Sequence, residues 1–386
     1  MIILIQEQSR IVNIGLIGFG FIGKLHANAY FNIPYCFPAS PVNARIAAVL
    51  RNQPQNDQTF AKSIGIQVMT ADVVEFYNQT LDLVDICTPN ALHLEQVQEA
   101  LTHCSAIYCE KPLGKNLAEA RFIESHARSA KALTHVAFML RYIPALRQMK
   151  SIIENGAIGE VHHFRAHFFH SSYLDPKRPM TWRLRLGDSG GGALADLGIH
   201  ILDQIRSLLG EVDWIQCQTR TFIHQRPTTY ASNTLEPVEV DDWALCTLGM
   251  KSGAVGTLEV SRFTGGIDES TEIEIFGSKG SVKVNLEDPL TAQYYDVKRK
   301  QWLIGPQDFP PPLNLRPIEQ VWPASKQSMG YMLNAHLACA LDFLLDIWEG
   351  KDSPINFHVG LAAQEILEAA YLSAGKNGIP IQLPLM

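Results

Sequence analysis

No stretch of the 386-residue chain approaches the roughly 18 consecutive apolar residues that a membrane-spanning helix needs. The start, Met1 to Ile5, is apolar but meets Gln6, Glu7 and Gln8 at once, with no basic segment before it. No signal peptide is expected on that pattern. No basic run interrupts a net charge of −7 at a pI near 6.0, so nucleic acid finds no electrostatic footing. The seven cysteines are odd in number and include no C-x-x-C pair. That suits reduced thiols in a cytoplasmic protein and argues against a disulfide framework. Internal repeats and low-complexity segments are missing as well. His163, Arg165 and His167 alternate along one strand face, with His162 and His170 on the other, but no acid or cysteine joins them at ligand spacing. No metal is expected there.

What remains is a soluble globular composition, 46% hydrophobic and 18% charged. The length calls for about two domains.

Ile11 to Ile17 reads as a buried strand that opens into Gly18-Phe19-Gly20-Phe21-Ile22-Gly23 and then a helical segment from Lys24. This is G-x-G-x-x-G with a strand before it and a helix after it. Gly18 makes the tight turn, Gly20 lets backbone approach a pyrophosphate and Gly23 lets the helix pack on the strand. The alternative is an ordinary glycine-rich turn. The stretch Pro34 to Asn43 holds three prolines and is expected to be irregular. The second strand ends in Leu50-Arg51-Asn52, without the acid that would bind ribose hydroxyls. Arg51 suits the 2′-phosphate of NADP, or is a solvated loop residue, so NAD(P) is expected with NADP slightly favoured.

Leu83 to Cys87 is a further strand, ending at Thr88-Pro89-Asn90, with a helix from His93. Ala106 to Cys109 then runs into Glu110-Lys111-Pro112. Proline cannot donate to a ladder, so the strand should stop at Lys111. Glu110 and Lys111 then lie at the carboxyl end of a sheet strand, where open α/β sheets bind ligands. Alone, the pair reads equally as a surface Glu-Lys beside a turn. Asn116 looks like a helix cap, and Thr134 to Leu140 reads as one more strand, ending in Arg141-Tyr142. Regular alternation of strands and helices specifies a doubly wound parallel sheet, a dinucleotide-binding Rossmann domain over residues 1–142.

The pattern changes beyond Pro144. Long alternating segments such as Glu160 to His170, Asp242 to Met250 and Ala254 to Phe263 are separated by turn signals. They predict an α+β domain, residues 143–386, on a large, mostly antiparallel open sheet. One embedded helix, Asp196 to Leu209, follows Gly190-Gly191-Gly192 and puts Asp196 and His200 one turn apart on a face, with Asp203 further along. That pairs an imidazole with a carboxylate, the usual means of tuning acid/base chemistry. On spacing alone a satisfied structural histidine is the commoner reading. The helix Tyr331 to Glu349 is expected to be core. Leu258 and Val260 alternate on a sheet face that needs cover, which points to a homodimer or homotetramer formed through that sheet.

Together the Gly18–Gly23 fingerprint with His26, Thr88-Pro89-Asn90, Glu110-Lys111-Pro112, Trp182-Arg183, the Gly190–His200 segment, Phe276 to Gly280 and Glu368-Ala369-Ala370-Tyr371 resemble the Gfo/Idh/MocA oxidoreductase family. The resemblance covers nearly the whole chain. It implies an NAD(P)-dependent dehydrogenase or reductase that moves a hydride between the nicotinamide and a secondary alcohol or carbonyl carbon of a sugar, cyclitol or polyol. Lys111 would be the catalytic lysine, His200 the acid/base and Asp196 the partner that orients it. Gly18, Gly20, Phe21, Ile22, Gly23, Arg51, Thr88, Pro89, Asn90, His93, Glu110 and Lys111 would hold the cofactor. Arg141, Tyr142, Trp182 and Arg183 are the expected substrate contacts, with specificity in the loops at Ser171–Gly187 and Gln225–Val240. The family also contains dihydrodiol dehydrogenases and biliverdin reductases. A sensing regulator on the same fold would be expected to lack the Lys111, Asp196 and His200 set.

Overall fold

The computed structural model describes residues 9–305 and 309–385, so the apolar start at residues 1–5 lies outside the described residues. Strands β1 (Arg10–Ile17), β2 (Val42–Leu50), β3 (Val68–Thr70), β4 (Leu83–Ile86), β5 (Ala106–Cys109) and β6 (Leu133–Val136) form a parallel sheet in the order β3-β2-β1-β4-β5-β6. Every residue of β4 and β5 is buried, as strands covered on both faces must be. The connecting helices are α1 (Phe21–Cys36), α2 (Gln58–Ser63), α3 (Val73–Tyr77), α4 (His93–His103) and α5 (Leu117–Ser129). Asn116 caps α5 as expected, its side-chain oxygen accepting from the Glu119 N–H at 2.9 Å.

Three boundaries differ from the sequence reading. Helix α1 runs through Pro34 to Cys36, because a proline in the last turn removes only one helical hydrogen bond. β5 stops at Cys109, two residues before Lys111. β6 ends at Val136, and Met139–Tyr142 is a single 3₁₀ turn that carries Arg141 and Tyr142 away from the sheet edge.

Beyond α6 (Pro144–Glu154) comes the second sheet: β7 (Val161–His170), β8 (Val212–Arg220), β11 (Trp243–Met250), β12 (Val255–Ser261), β13 (Glu269–Gly277), β14 (Gly280–Asn285), β15 (Gln293–Asp296), β16 (Gln301–Ile304) and β17 (Ile381–Gln382). A small hairpin, β9 (Gln225–Pro227) and β10 (Leu235–Pro237), stands apart. The nine described strands follow the order β16-β15-β14-β13-β7-β12-β11-β8-β17, antiparallel except where β12 runs alongside β7. Phe164, Ala166 and Phe168 face inward while His163, Arg165 and His167 face outward. After short α7 (Leu186–Ser189), a π-helical turn (Leu194–Gly198) and α8 (Ile199–Leu209) pack on the inner face.

Leu258 and Val260 lie on that inner face, both at 0% exposure beneath the Leu194–Gly198 turn. They need no partner chain, so that argument for self-association is corrected. Period-2 alternation marks two faces without saying which one the chain's own helices will cover. Finally α9 (Tyr331–Glu349) packs on α1, and α10 (Phe357–Gly375) packs on α5 and β8, tying the second half of the chain back onto the first.

Candidate active site

β1 leaves its sheet at Gly18, which has φ +91° and no room for a side chain: a Cβ would lie 2.8 Å from the Cys87 carbonyl oxygen. Gly23 sits on the first turn of α1, where a Cβ would come within 2.2 Å of the Gly18 carbonyl oxygen. The turn and the helix therefore nest only as glycines. Among the described residues no side chain caps α1 at Gly20, so its first-turn N–H groups are available as donors at the positive end of the helix. Nothing approaches the Cβ position of Gly20 within 4 Å, which leaves open space above those donors. A pyrophosphate fits this cradle.

From there a cleft of ≈ 680 Å³ runs between the two sheets. Gly18–Ile22, Leu50–Gln53 and Thr88–Asn90 wall one end, and Glu110–Pro112 lie along it. Trp182, Arg183, Asp196, His200 and Arg262 face them from the second half of the chain. The Lys111 ammonium donates to the Asp196 carboxylate at 3.0 Å and to its backbone carbonyl at 2.8 Å. The other Asp196 oxygen accepts from Arg262 at 3.1 Å, with Arg183 at 3.9 Å. Burial would raise the Asp196 pKa, but the charges of Lys111, Arg262 and Arg183 hold it well below the usual range. Asp196 is a carboxylate shared by three cations.

His200 is buried and lines the same cleft, and its Nδ1 has no hydrogen-bond partner among the described residues. Burial first, and the Lys111 charge second, push its pKa down to about 3. The imidazole is therefore neutral and able to accept a proton. The expected contact between Asp196 and His200 is not made. The π-helical turn rotates Asp196 out of the simple i, i+4 alignment, and its oxygens go to the lysine and arginine instead.

Two family descriptions match the chain. "Oxidoreductase family, NAD-binding Rossmann fold" covers residues 12–138, and "GFO/IDH/MocA C-terminal domain" covers residues 146–283. The chain belongs to the Gfo/Idh/MocA oxidoreductase family. Levoglucosan dehydrogenase from Pseudarthrobacter phenanthrenivorans is 31% identical, over 95% of this chain and 97% of its own. Inositol 2-dehydrogenase from Rhizobium meliloti is 29% identical, over 73% and 78%. A solved levoglucosan dehydrogenase in complex with NADH and L-sorbose superposes with a TM-score of 0.88 at 30% identity, covering 98% of this chain and 100% of that one. As a Gfo/Idh/MocA member the chain is a nicotinamide-dependent oxidoreductase, and among the described residues no helix is long and apolar enough to cross a membrane.

Within this Gfo/Idh/MocA framework most of the residues expected from sequence border the cleft, and four do not. Gly18, Gly20, Phe21, Ile22, Arg51, Thr88, Pro89, Asn90, Glu110, Lys111, Trp182 and Arg183 line it. Gly23 acts one step behind, through packing. His93 is completely buried, with its ring nitrogens 3.0 Å from the Pro112 carbonyl and 3.1 Å from the Thr88 carbonyl. It therefore ties two cleft loops together from behind and touches no cofactor space. Arg141 is turned inward and donates to both Asp203 oxygens at 2.7 and 2.6 Å. Tyr142 is buried and donates to Asp342 at 2.7 Å. Neither is a substrate contact, because the 3₁₀ turn after β6 points them into the core. The Gln225–Val240 loop also misses the cleft: Val238 and Val240 join Tyr173, Met180 and Leu184 in a small separate core.

Arg262, Glu269, Met332 and His336 line the cleft without having been singled out from sequence. Arg262 and Glu269 flank the Phe263–Asp268 turn, where charge alone signals little. His336 sits on α9, whose apolar run reads as core, and most of the helix, Asn334 to Asp346, is indeed buried. Asp241 gives a different kind of support. Its carboxylate accepts from the Gly192 and Leu194 N–H groups at 2.9 Å each and so fixes the start of the segment that carries Asp196.

Proposed function

We propose that this protein transfers a hydride between a nicotinamide and a secondary alcohol or carbonyl carbon of a sugar, cyclitol or related polyol. Lys111 and His200 carry the polar chemistry at the substrate oxygen. The observation behind the reading is that a lysine from one sheet edge and an unpartnered neutral imidazole from α8 share one cleft beside a pyrophosphate cradle. When bound, the nicotinamide accepts or supplies the hydride. For oxidation, neutral His200 takes the hydroxyl proton, and Lys111 offers its ammonium to the negative charge developing on that oxygen. Asp196 holds the Lys111 ammonium in place, and Arg262 and Arg183 keep Asp196 ionised. Trp182 and Arg183 supply a flat apolar face and a donor for a polyol. The relatives named for levoglucosan and inositol support that substrate class. A panel of anhydrosugars, inositols and sugar acids, followed at the nicotinamide absorbance band, tests it. No turnover of any polyol with either cofactor would favour a sensing role, or a reductase of a dihydrodiol or biliverdin type.

We propose that both cofactors bind, NADP slightly better. Arg51 and Lys24 both ion-pair with Asp57 near the end of β2, which leaves that corner with one net positive charge. Because Asp57 occupies Arg51, the preference is expected to stay within about tenfold, or 1.4 kcal/mol. Asp57→Asn should release both cations and tighten NADPH more than NADH. Fluorescence titrations showing an NADH preference that neither Asp57→Asn nor Arg51→Ala alters would sink the proposal.

We also propose a homodimer or homotetramer through the outer face of the second sheet. Leu245 and Val255 are 36% and 41% exposed there, beside half-buried Trp243 and Phe276. Sedimentation should find more than the 43.0 kDa of one chain. A stable monomer at micromolar concentration counts against it. A cytoplasmic location is proposed on the seven cysteines, all of them free.

A further inference from the structure

Behind the cleft a histidine of the glycine-loop helix lies between two buried carboxylates. His26 Nδ1 is 2.9 Å from Asp85 Oδ2, and Nε2 is 3.2 Å from Glu110 Oε1. The three side chains come from α1, β4 and the end of β5, and none exceeds 8% exposure. A neutral imidazole has one N–H, whereas two carboxylates at these distances call for two. Glu110 also accepts from the Lys111 backbone N–H at 3.2 Å through its second oxygen. The result is a row of alternating charge, Asp85, His26, Glu110, Lys111, Asp196 and Arg262, that spans both sheets.

We propose that His26 is the positioning residue of the catalytic lysine: a doubly protonated imidazolium anchored on Asp85 that clamps Glu110 and thereby fixes the Lys111 backbone at the cleft. This rests on the reading of Lys111 given above. It links the cofactor loop to the chemistry, because His26 lies on the helix whose first turn forms the pyrophosphate cradle. The groups facing the ring are Tyr30 on α1, Asp85 and Cys87 from β4 and its end, Tyr108 and Glu110 from β5 and its end, and His336 and Cys339 on α9. Burial alone would lower the His26 pKa, yet Asp85 above all, with Cys87, lifts it well above the usual value. Glu110 in turn is held at about 2 against burial, chiefly by its hydrogen bond to His26 and the His26 charge. His26, Glu110 and His336 also present ligand atoms within 4.8 Å of one another. An imidazolium has no lone pair to give a cation, so the proton excludes a metal.

The test uses the full chain. ¹⁵N-histidine spectra, assigned by the signal lost in His26→Gln, should show both His26 nitrogens still protonated at neutral pH and above, where an ordinary histidine is neutral. One bare nitrogen at neutral pH overturns the proposal, and the protonation is read on the parent protein. In kinetics, His26→Gln and Glu110→Gln should each lower kcat by about 100-fold, the cost of slight misplacement of a reacting group, a larger change than any in KM. The double variant should be no worse than the worse single one, since both break one link. Additive losses, or wild-type kcat in His26→Gln while Lys111→Met is inactive, overturn the positioning role alone. Wild-type turnover by Lys111→Met instead removes the catalytic reading on which the proposal stands, and leaves the His26 spectrum to be judged on its own.

Discussion

Lys111→Met should fold, bind the dinucleotide nearly as well as the parent, and turn over about 10² to 10³ times more slowly, the usual cost of losing one positioned charge at a developing oxyanion. The fold should tolerate the change because Asp196 keeps Arg262 at 3.1 Å, so no carboxylate is left buried and unpaired. His200→Ala should cost about 10² to 10⁴, the range for a positioned acid or base. The His200 pKa of about 3 means the imidazole stays in its accepting form from mildly acid to alkaline pH. On this account kcat/KM for oxidation has no acid limb near an ordinary histidine pKa. Asp196→Asn acts on the lysine, since no hydrogen bond joins Asp196 to His200. It should lower kcat less than Lys111→Met and leave any histidine-dependent limb in place. Melting temperature, cofactor titration and stopped-flow turnover on the three variants decide the matter. Folded Lys111 and His200 variants working at the parent's rate would end the assignment.

Arg141→Ala is expected to be the most destabilising single change among the residues considered for the substrate, at about 3 to 5 kcal/mol, because it strands a buried Asp203 charge. Two donors of Arg141 meet the two Asp203 oxygens, and Asp203 is 0% exposed. Urea unfolding should show the loss while KM for substrate stays near the parent value. Replacing both partners by apolar residues, Arg141→Met with Asp203→Leu, should recover most of the stability. The reverse outcome, a raised KM in a protein of normal stability, would return Arg141 to the cleft.

Why some of this was legible and some was not follows from how each signal is written. A parallel strand buried on both faces is a short apolar run ended by a breaker, so β4, β5 and the Glu110-Lys111 edge could be read directly. The glycine turn was legible because its steric demands are local, within the six residues from Gly18 to Gly23. The face a strand presents is not local. Leu258 and Val260 showed the right period, but only the helix after Gly192 decides that their side is the covered one. Arg141 was misplaced for a related reason: four residues of strand became a turn, and a side chain expected at the edge entered the core. The partners of Asp196 were invisible in the same way, since Lys111 and Arg262 lie 85 and 66 residues away in the chain. Spacing along a helix suggests a neighbour, and a π-turn is enough to choose another.

The return of α9 and α10 to the first sheet has a consequence for the order of assembly. α9 is buried almost throughout its length and lies against α1, and α10 lies against α5. The helical layer that seals the dinucleotide-binding sheet is therefore made late, after every strand of the second sheet except the short β17. Until then the nascent first sheet keeps a greasy flank uncovered, and its closure depends on contacts spanning most of the chain, the kind that form slowly. The chain is read as two units, but its two ends finish folding together.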